Sequence, residues 1–307
     1  MRYSSGCSDY LVATGTDLND NVRLGADSAR GAPVLQTRDP FNNGISNMFT
    51  RVIVSCFFIV TALCALSPAD APPAYDVLPT LAPDPDVLAD NDLVRDPKTG
   101  QILLRFSNAI GNYGAGVLHV IGYRQSASPQ TVDIDDDTMP AFQRVYRQDG
   151  TYHDEPIGDL VYHPEHHHFH FVGAARYRLI DPDTVEVVQE SAKVSFCLAD
   201  VIVVDDSVPG FRKVPVFNSC AHDPYARLVQ MGISAGWADV YGKDLIGQAF
   251  DVTDLMNLPA KCYILESTTN PDGLLWETND SQPASAWVKV RIGKGVPVGV
   301  GKSRPGV

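Results

Sequence analysis

The chain lacks positive charge. Its 24 Lys and Arg residues are set against 37 Asp and Glu, a formal net charge of −13 at pH 7. A surface of that sign repels phosphates, which argues against nucleic acid and anionic membranes as partners. It suits a cationic amine or a lysine-rich protein. Long apolar runs are also missing. The run from Val52 to Leu66 is short for a bilayer span, which takes about 20 residues. Cysteine is scarce: only Cys197, Cys220 and Cys262 follow that run, which leaves room for at most one disulfide among them. Helical periodicity is weak almost everywhere, and no internal repeat stands out. What is present is a 44% hydrophobic content with 20% charged residues over 307 positions. That supports one large or two ordinary domains and excludes global disorder.

The chain divides by composition. Residues 1–47 are polar and aperiodic, and read as a non-structural upstream extension. A basic lead at Met48-Phe49-Thr50-Arg51, the apolar run, and small residues at Ala69-Asp70-Ala71 make residues 48–71 a secretory signal peptide, with Met48 as the expected initiator. The competing reading is an uncleaved signal anchor, the one case in which a membrane is a partner. Cys64 follows Leu63 and does not sit in a lipobox. Residues 72–92 are rich in Pro and Asp and read as an extended linker. Residues 93–293 carry short strand-like runs separated by Gly, Pro, Asn and Asp: Gln101–Phe106, Val117–Tyr123, Gln248–Thr253, Cys262–Ser267 and Trp287–Ile292. Ser107–Gly116 reads as a Gly/Asn-rich loop, Asp133–Asp137 as a solvated charge run, and residues 294–307 as a flexible tail. The expected fold is mostly β: an antiparallel β-sandwich-like single domain with long loops and little helix.

Five of the eight histidines fall within Tyr162–Phe171. On a strand, alternate side chains share a face, so His166, His168 and His170 lie together, opposite His167, Phe169 and Phe171. The Phe pair marks the core side, and the alternating imidazoles are candidate ligands for copper or zinc. The outer two would stand roughly 13 Å apart on a straight strand, too far for bonds of about 2 Å to one ion. All three converge only if the strand bends or bulges. On a straight strand, two of them with His163 or a distant group make the set. A loose metal-scavenging tract is a third reading, which the interleaved Phe residues oppose. Further on, Lys193–Leu198 alternates, with Val194, Phe196 and Leu198 on the core side and Lys193, Ser195 and Cys197 opposite.

These segments, in this order, resemble the lysyl oxidase family. His163-x-x-His166-x-His168-x-His170 is similar to its copper-binding segment, whose ligands are the three alternating histidines. Lys193-x-Ser195-Phe196-Cys197-Leu198-x-Asp200 resembles the segment carrying the cofactor lysine. Gly232-x-Ser234-x-Gly236-x-x-Asp239-x-Tyr241-Gly242 resembles the one carrying the cofactor tyrosine. Leu103–Phe106, Gln248–Asp254 and Tyr263–Leu265 continue the likeness. The resemblance implies a secreted (extracellular or periplasmic) copper amine oxidase of the protein-lysine 6-oxidase type. It would use a lysine tyrosylquinone built from Lys193 and Tyr241, turning primary amines on lysine-bearing proteins or small molecules into aldehydes with dioxygen, and releasing peroxide and ammonia. Asp239 is the candidate base, or else a turn residue or a partner of a copper histidine; His163 is a candidate supporting group as well.

Animal members of the family carry more cysteines, and Glu165 and Trp237 stand where cysteine is common in them. The resemblance then suggests Cys197–Cys220 as the disulfide pair, with Cys262 left free and buried. The competing function is a secreted copper- or zinc-binding protein of the same fold without oxidase activity.

Overall fold

The structure, a computed structural model, describes Cys7 and residues 75–125, 138–164, 166–191, 195–278 and 284–301. All of these belong to one compact unit, residues 1–22 and 74–307. The expected signal segment, the Asp133–Asp137 run, Glu165, Lys193 and Val194 lie outside the described residues.

The expected mostly β, antiparallel single domain is what the chain adopts. Its largest sheet has seven strands. Six run in the spatial order Ser195–Phe196, His168–Val172, Tyr152–His163, Thr138–Arg147, Leu118–Tyr123 and Leu228–Ile233, and Asp76–Val77 pairs onto Thr138–Arg147. A second sheet orders Glu186–Glu190, Ala175–Asp181, Lys261–Thr269 and Ser285–Ile292. A third orders Ile202–Val203, Trp237–Tyr241, Asn108–Asn112 and Leu81–Pro83. A fourth orders Ala249–Asp251, Ile102–Phe106, Asn91–Arg95 and Gly299–Val300, the last pair parallel. Strands such as Ile102–Phe106 bury every second residue, the pattern of a sheet with one dry face. Phe106, Phe169, Phe171, Tyr177 and Phe196 are fully buried in the shared core.

Three segments differ from the sequence reading. Residues 75–92, expected as linker, contribute strands, and Leu81 and Leu88 are fully buried. Asp84 caps the short helix Pro85–Leu88 by accepting from Asp86 N and Val87 N, with a proline in the first turn. The segment is held in part by a carboxylate nearly 200 positions away, since Leu81 N donates to Glu277 Oε2 at 2.9 Å. The expected loop Ser107–Gly116 contains the strand Asn108–Asn112, buried throughout and paired on both sides. Its small and amide residues fit where backbones crowd, a fact that composition reads as a turn. In the expected tail, Gly299–Val300 pairs with Val94–Arg95.

Cys197 and Cys220 are bonded, as expected. Cys262 is not free: it is bonded to Cys7. Counting only cysteines after the apolar run excluded that partner. The turn at 234–236 is pinned by Asp200, whose carboxylate accepts from Ser234 N and Oγ, Val216 N and Phe217 N. Gly236 has φ 78°, and a Cβ there would stand 2.2 Å from the Asp205 carbonyl oxygen. Only glycine fits.

Candidate metal centre and tyrosine pocket

The strand Tyr152–His163 returns, through a turn that includes His166 and His167, as His168–Val172, pairing His163 with His168 and Val161 with His170. Phe169 and Phe171 point into the core, as their alternation predicts, and His168 and His170 take the other face. His166 is not on the strand. It sits in the turn, where His166 N donates to the His163 carbonyl and His167 adopts φ 54°. This turn resolves the spacing problem. Three imidazoles on a straight strand span too far, whereas a hairpin folds the first one back over the other two. His167, expected on the core side, is exposed because the left-handed turn swings it outward.

The ligand nitrogens of His166, His168 and His170 all lie within 4.8 Å of one another. Their ring centroids are 4.8 to 5.7 Å apart. His168 Nε2 and His170 Nε2 are 2.9 Å apart, close to the roughly 3.3 Å between two nitrogens bound tetrahedrally at about 2 Å. Burial, then the neighbouring His166 and His222, push the His168 imidazole down to about 4. His168 is therefore neutral at physiological pH, the form that binds metal. The donor set fits a borderline ion such as copper or zinc.

Further groups orient the triad. The Ser195 hydroxyl stands 3.2 Å from His170 Nδ1 and 3.3 Å from His163 Nε2. A hydroxyl can accept from one ring and donate to the other. With His170 Nδ1–H donating, His170 Nε2 presents its lone pair to the centre, a tautomer choice of the kind that tunes metal histidines. His163 thus supports the triad, with its ring 4.5 Å from that of His170. His222, which the sequence reading did not single out, lies edge-on to His168 and bonds the His167 carbonyl through Nδ1 at 2.8 Å. Its only sequence signal is its place two residues after Cys220.

Tyr241 lies on the strand Trp237–Tyr241, opposite Asn108. Its hydroxyl accepts from Cys197 N at 2.5 Å and donates to the Cys197 carbonyl at 3.3 Å. Its ring packs edge-on against Phe196 at 4.9 Å. Burial, then the nearby Asp239 carboxylate, push the phenol well above its ordinary value. Asp239 is buried and shares the strand face of Tyr241, two positions away. Residues 195–197 thus join the two halves of the site: Ser195 touches His170, Phe196 packs on Tyr241, and the Cys197 backbone holds the Tyr241 hydroxyl. The structure brings together His166, His168 and His170, and likewise Asp239 and Tyr241. Lys193 lies outside the described residues, two positions before Ser195.

Among the described residues, no helix is long and apolar enough to cross a membrane. The family model described as Lysyl oxidase matches residues 123–286. The chain is 28% identical over 156 residues to lysyl oxidase homolog 1 of Homo sapiens, covering 50% of this chain and 24% of that protein. It is 31% identical over 123 residues to protein-lysine 6-oxidase of Homo sapiens, covering 38% and 25%. Against protein-lysine 6-oxidase of Gallus gallus it is 28% identical over 157 residues, covering 48% and 33%. The match spans about a quarter to a third of the length of these relatives.

Proposed function

The chain belongs to the lysyl oxidase family, and from that premise we propose that it is a secreted, copper-dependent oxidase of primary amines, with peptidyl lysine as the first substrate class. His166, His168 and His170 would hold the copper, and Lys193 and Tyr241 would supply the lysine tyrosylquinone. When bound, the copper and the quinone supply the redox chemistry: oxidation of the amine to an aldehyde, with dioxygen taken to peroxide and ammonia released.

The observation that carries this reading is the segment 195–197, which touches the imidazole triad at one end and Tyr241 at the other. The metal ligands and the tyrosine are thereby linked through one short segment, and Lys193 lies two positions before it in sequence. A separate metal site and a separate packed tyrosine would not need that link.

The chain's own residues have definite tasks in this reading. Ser195 and His163 hold His170 in the tautomer that offers Nε2. The Cys197 backbone orients the Tyr241 phenol, and the Cys197–Cys220 bond anchors that stretch. Asp239, on the face of Tyr241, would take the proton from the substrate carbon next to nitrogen at a carboxylate oxygen. The acidic surface raises the local concentration of cationic amines.

The test is a peptide map of the protein secreted aerobically with copper, with Lys193→Ala as control. A covalent link between the peptides bearing Lys193 and Tyr241, absent in the control, is the expected result. Full copper loading with both peptides unlinked would sink the oxidase and leave a metal-binding protein.

A further inference from the structure

His222 stands beside the imidazole triad but outside the cluster of candidate ligand nitrogens. Its Nδ1 lies 2.8 Å from the His167 carbonyl oxygen. A carbonyl only accepts, so Nδ1 carries the proton and donates it. The acceptor belongs to a left-handed residue: His167 has φ 54°, a conformation that a side chain other than glycine pays for. Within the turn, His166 N donates to the His163 carbonyl at 3.1 Å and His167 N to the Pro164 carbonyl at 3.3 Å. Strained backbone persists where its surroundings over-determine it. The bond from His222 is such a restraint, and it comes from outside the hairpin. His166 is the neighbour of the strained residue, so what holds His167 also sets where the His166 imidazole points.

The loop 220–227 that carries His222 is itself fastened to the hairpin and to the strand Leu118–Tyr123. Phe169 N donates to the Cys220 carbonyl at 3.1 Å, and the Tyr162 hydroxyl donates to the His222 carbonyl at 3.3 Å. Arg124 directly follows the strand Leu118–Tyr123 and is 3% exposed. Its Nε donates to the Ala226 carbonyl at 2.9 Å, its Nη2 to the Pro224 carbonyl, and its backbone N to the Arg227 carbonyl at 3.1 Å. The guanidinium also lies 5.9 Å from the centre of the Phe169 ring, between the two strand histidines in sequence. A rigid fork of donors on two carbonyls of one loop fixes the shape of that loop in a way that a single flexible donor does not.

We propose that His222 is a latch for the metal centre. Its Nδ1–H holds the left-handed turn at His167 and thereby places His166 over His168 and His170, while Arg124 clamps the loop that presents the latch. Both are positioning residues, since neither belongs to the clustered ligands. The latch rests on the metal centre proposed above, though not on amine oxidation.

The experiment uses the full chain. Copper affinity is read by competitive chelation, and bound imidazoles by pulsed electron paramagnetic resonance, for wild type, His222→Ala and His222→Asn. The asparagine amide can donate to the same carbonyl but offers no imidazole. His222→Ala should weaken copper binding roughly tenfold, and His222→Asn should restore it to within about twofold, with the number of bound imidazoles unchanged throughout. Wild-type affinity in His222→Ala overturns the latch. So does a His222→Asn protein as weak as His222→Ala, and the loss of one bound imidazole in both would make His222 a ligand instead. Arg124→Lys keeps the charge without the fork. It should weaken binding on its own and add nothing to His222→Ala, because both act through one bond. Equal losses in the two backgrounds overturn the clamp. If Arg124→Lys does not fold, Tyr162→Phe, which removes the bond to the His222 carbonyl, takes its place in the cycle. Without metal, diffraction of His222→Ala should show the His166 ring displaced from the other two. If wild type binds no copper, the proposed function fails, while the metal-free structures still decide the latch: a His166 ring unmoved in His222→Ala overturns it.

Discussion

Replacing the Tyr241 hydroxyl by hydrogen separates its structural from its chemical role. Tyr241→Phe keeps the ring against Phe196 but leaves Cys197 N without its acceptor. A buried donor left unpaired costs about 1–3 kcal/mol. The expected outcome is a urea midpoint lower by that amount, full metal binding at the triad, and no link to Lys193 in a peptide map. His119 makes a pH prediction away from the site. It is buried between the Tyr146 hydroxyl and Gln230 Oε1, and burial lowers it from the ordinary imidazole value of 6.5, with Arg144 nearby adding to the effect and Gln230 and Asp154 opposing it. Below that value the unfolded chain binds a proton that the native chain does not, so stability falls as pH drops beneath about 6.5 and levels off once the native ring also charges. Urea titrations at pH 7.5 and 5.5 should show a larger difference for wild type than for His119→Gln.

At the scale of elements, the metal site is a property of one hairpin. The strands Tyr152–His163 and His168–Val172 are held by their pairing and by Phe169 and Phe171 in the core, whereas His166 is positioned by the turn. Inserting two glycines after Pro164 should leave the fold and its cooperative melting intact while weakening copper binding at least tenfold, read by competitive chelation. Retained affinity would mean that His168 and His170 bind without His166. The alternation of His and Phe predicted the strand and its two faces, since a period of two is a local property. The turn was not legible in the same way. A left-handed residue at His167 carries no glycine or asparagine to announce it. Similarly, Asn108–Asn112 reads as a loop by composition, and becomes an inner strand only because Trp237–Tyr241 and Leu81–Pro83 pair on either side of it.

On the scale of the whole molecule, the segment 75–92 is tied to the body by the buried Glu277, which accepts from Leu81 N and from Asn270 Nδ2. Glu277→Ala removes both acceptors. Hydrogen bonds to a charged group contribute about 1.5–3 kcal/mol each, so a loss of about 3 kcal/mol is expected, with the Leu81 amide losing hydrogen-exchange protection first. Retained protection at Leu81 would show that strand pairing alone secures the segment. The Cys7–Cys262 bond is another long-range tie, with a sequence separation of 255. No local pattern pairs those two positions.

The sequence by itself determined the fold class, the two faces of the histidine strand, the three candidate imidazoles and the family, and the family resemblance suggested the Cys197–Cys220 pair. Each rests on short-range periodicity or on residue types at short spacing. Tertiary structure alone decided that His166 reaches its partners from a turn, and that Ser195 and Cys197 join the triad to Tyr241. It also decided that residues 75–92 belong to the core. These depend on which strands become neighbours, and sheet pairing is set by burial summed over the whole chain rather than by any one segment.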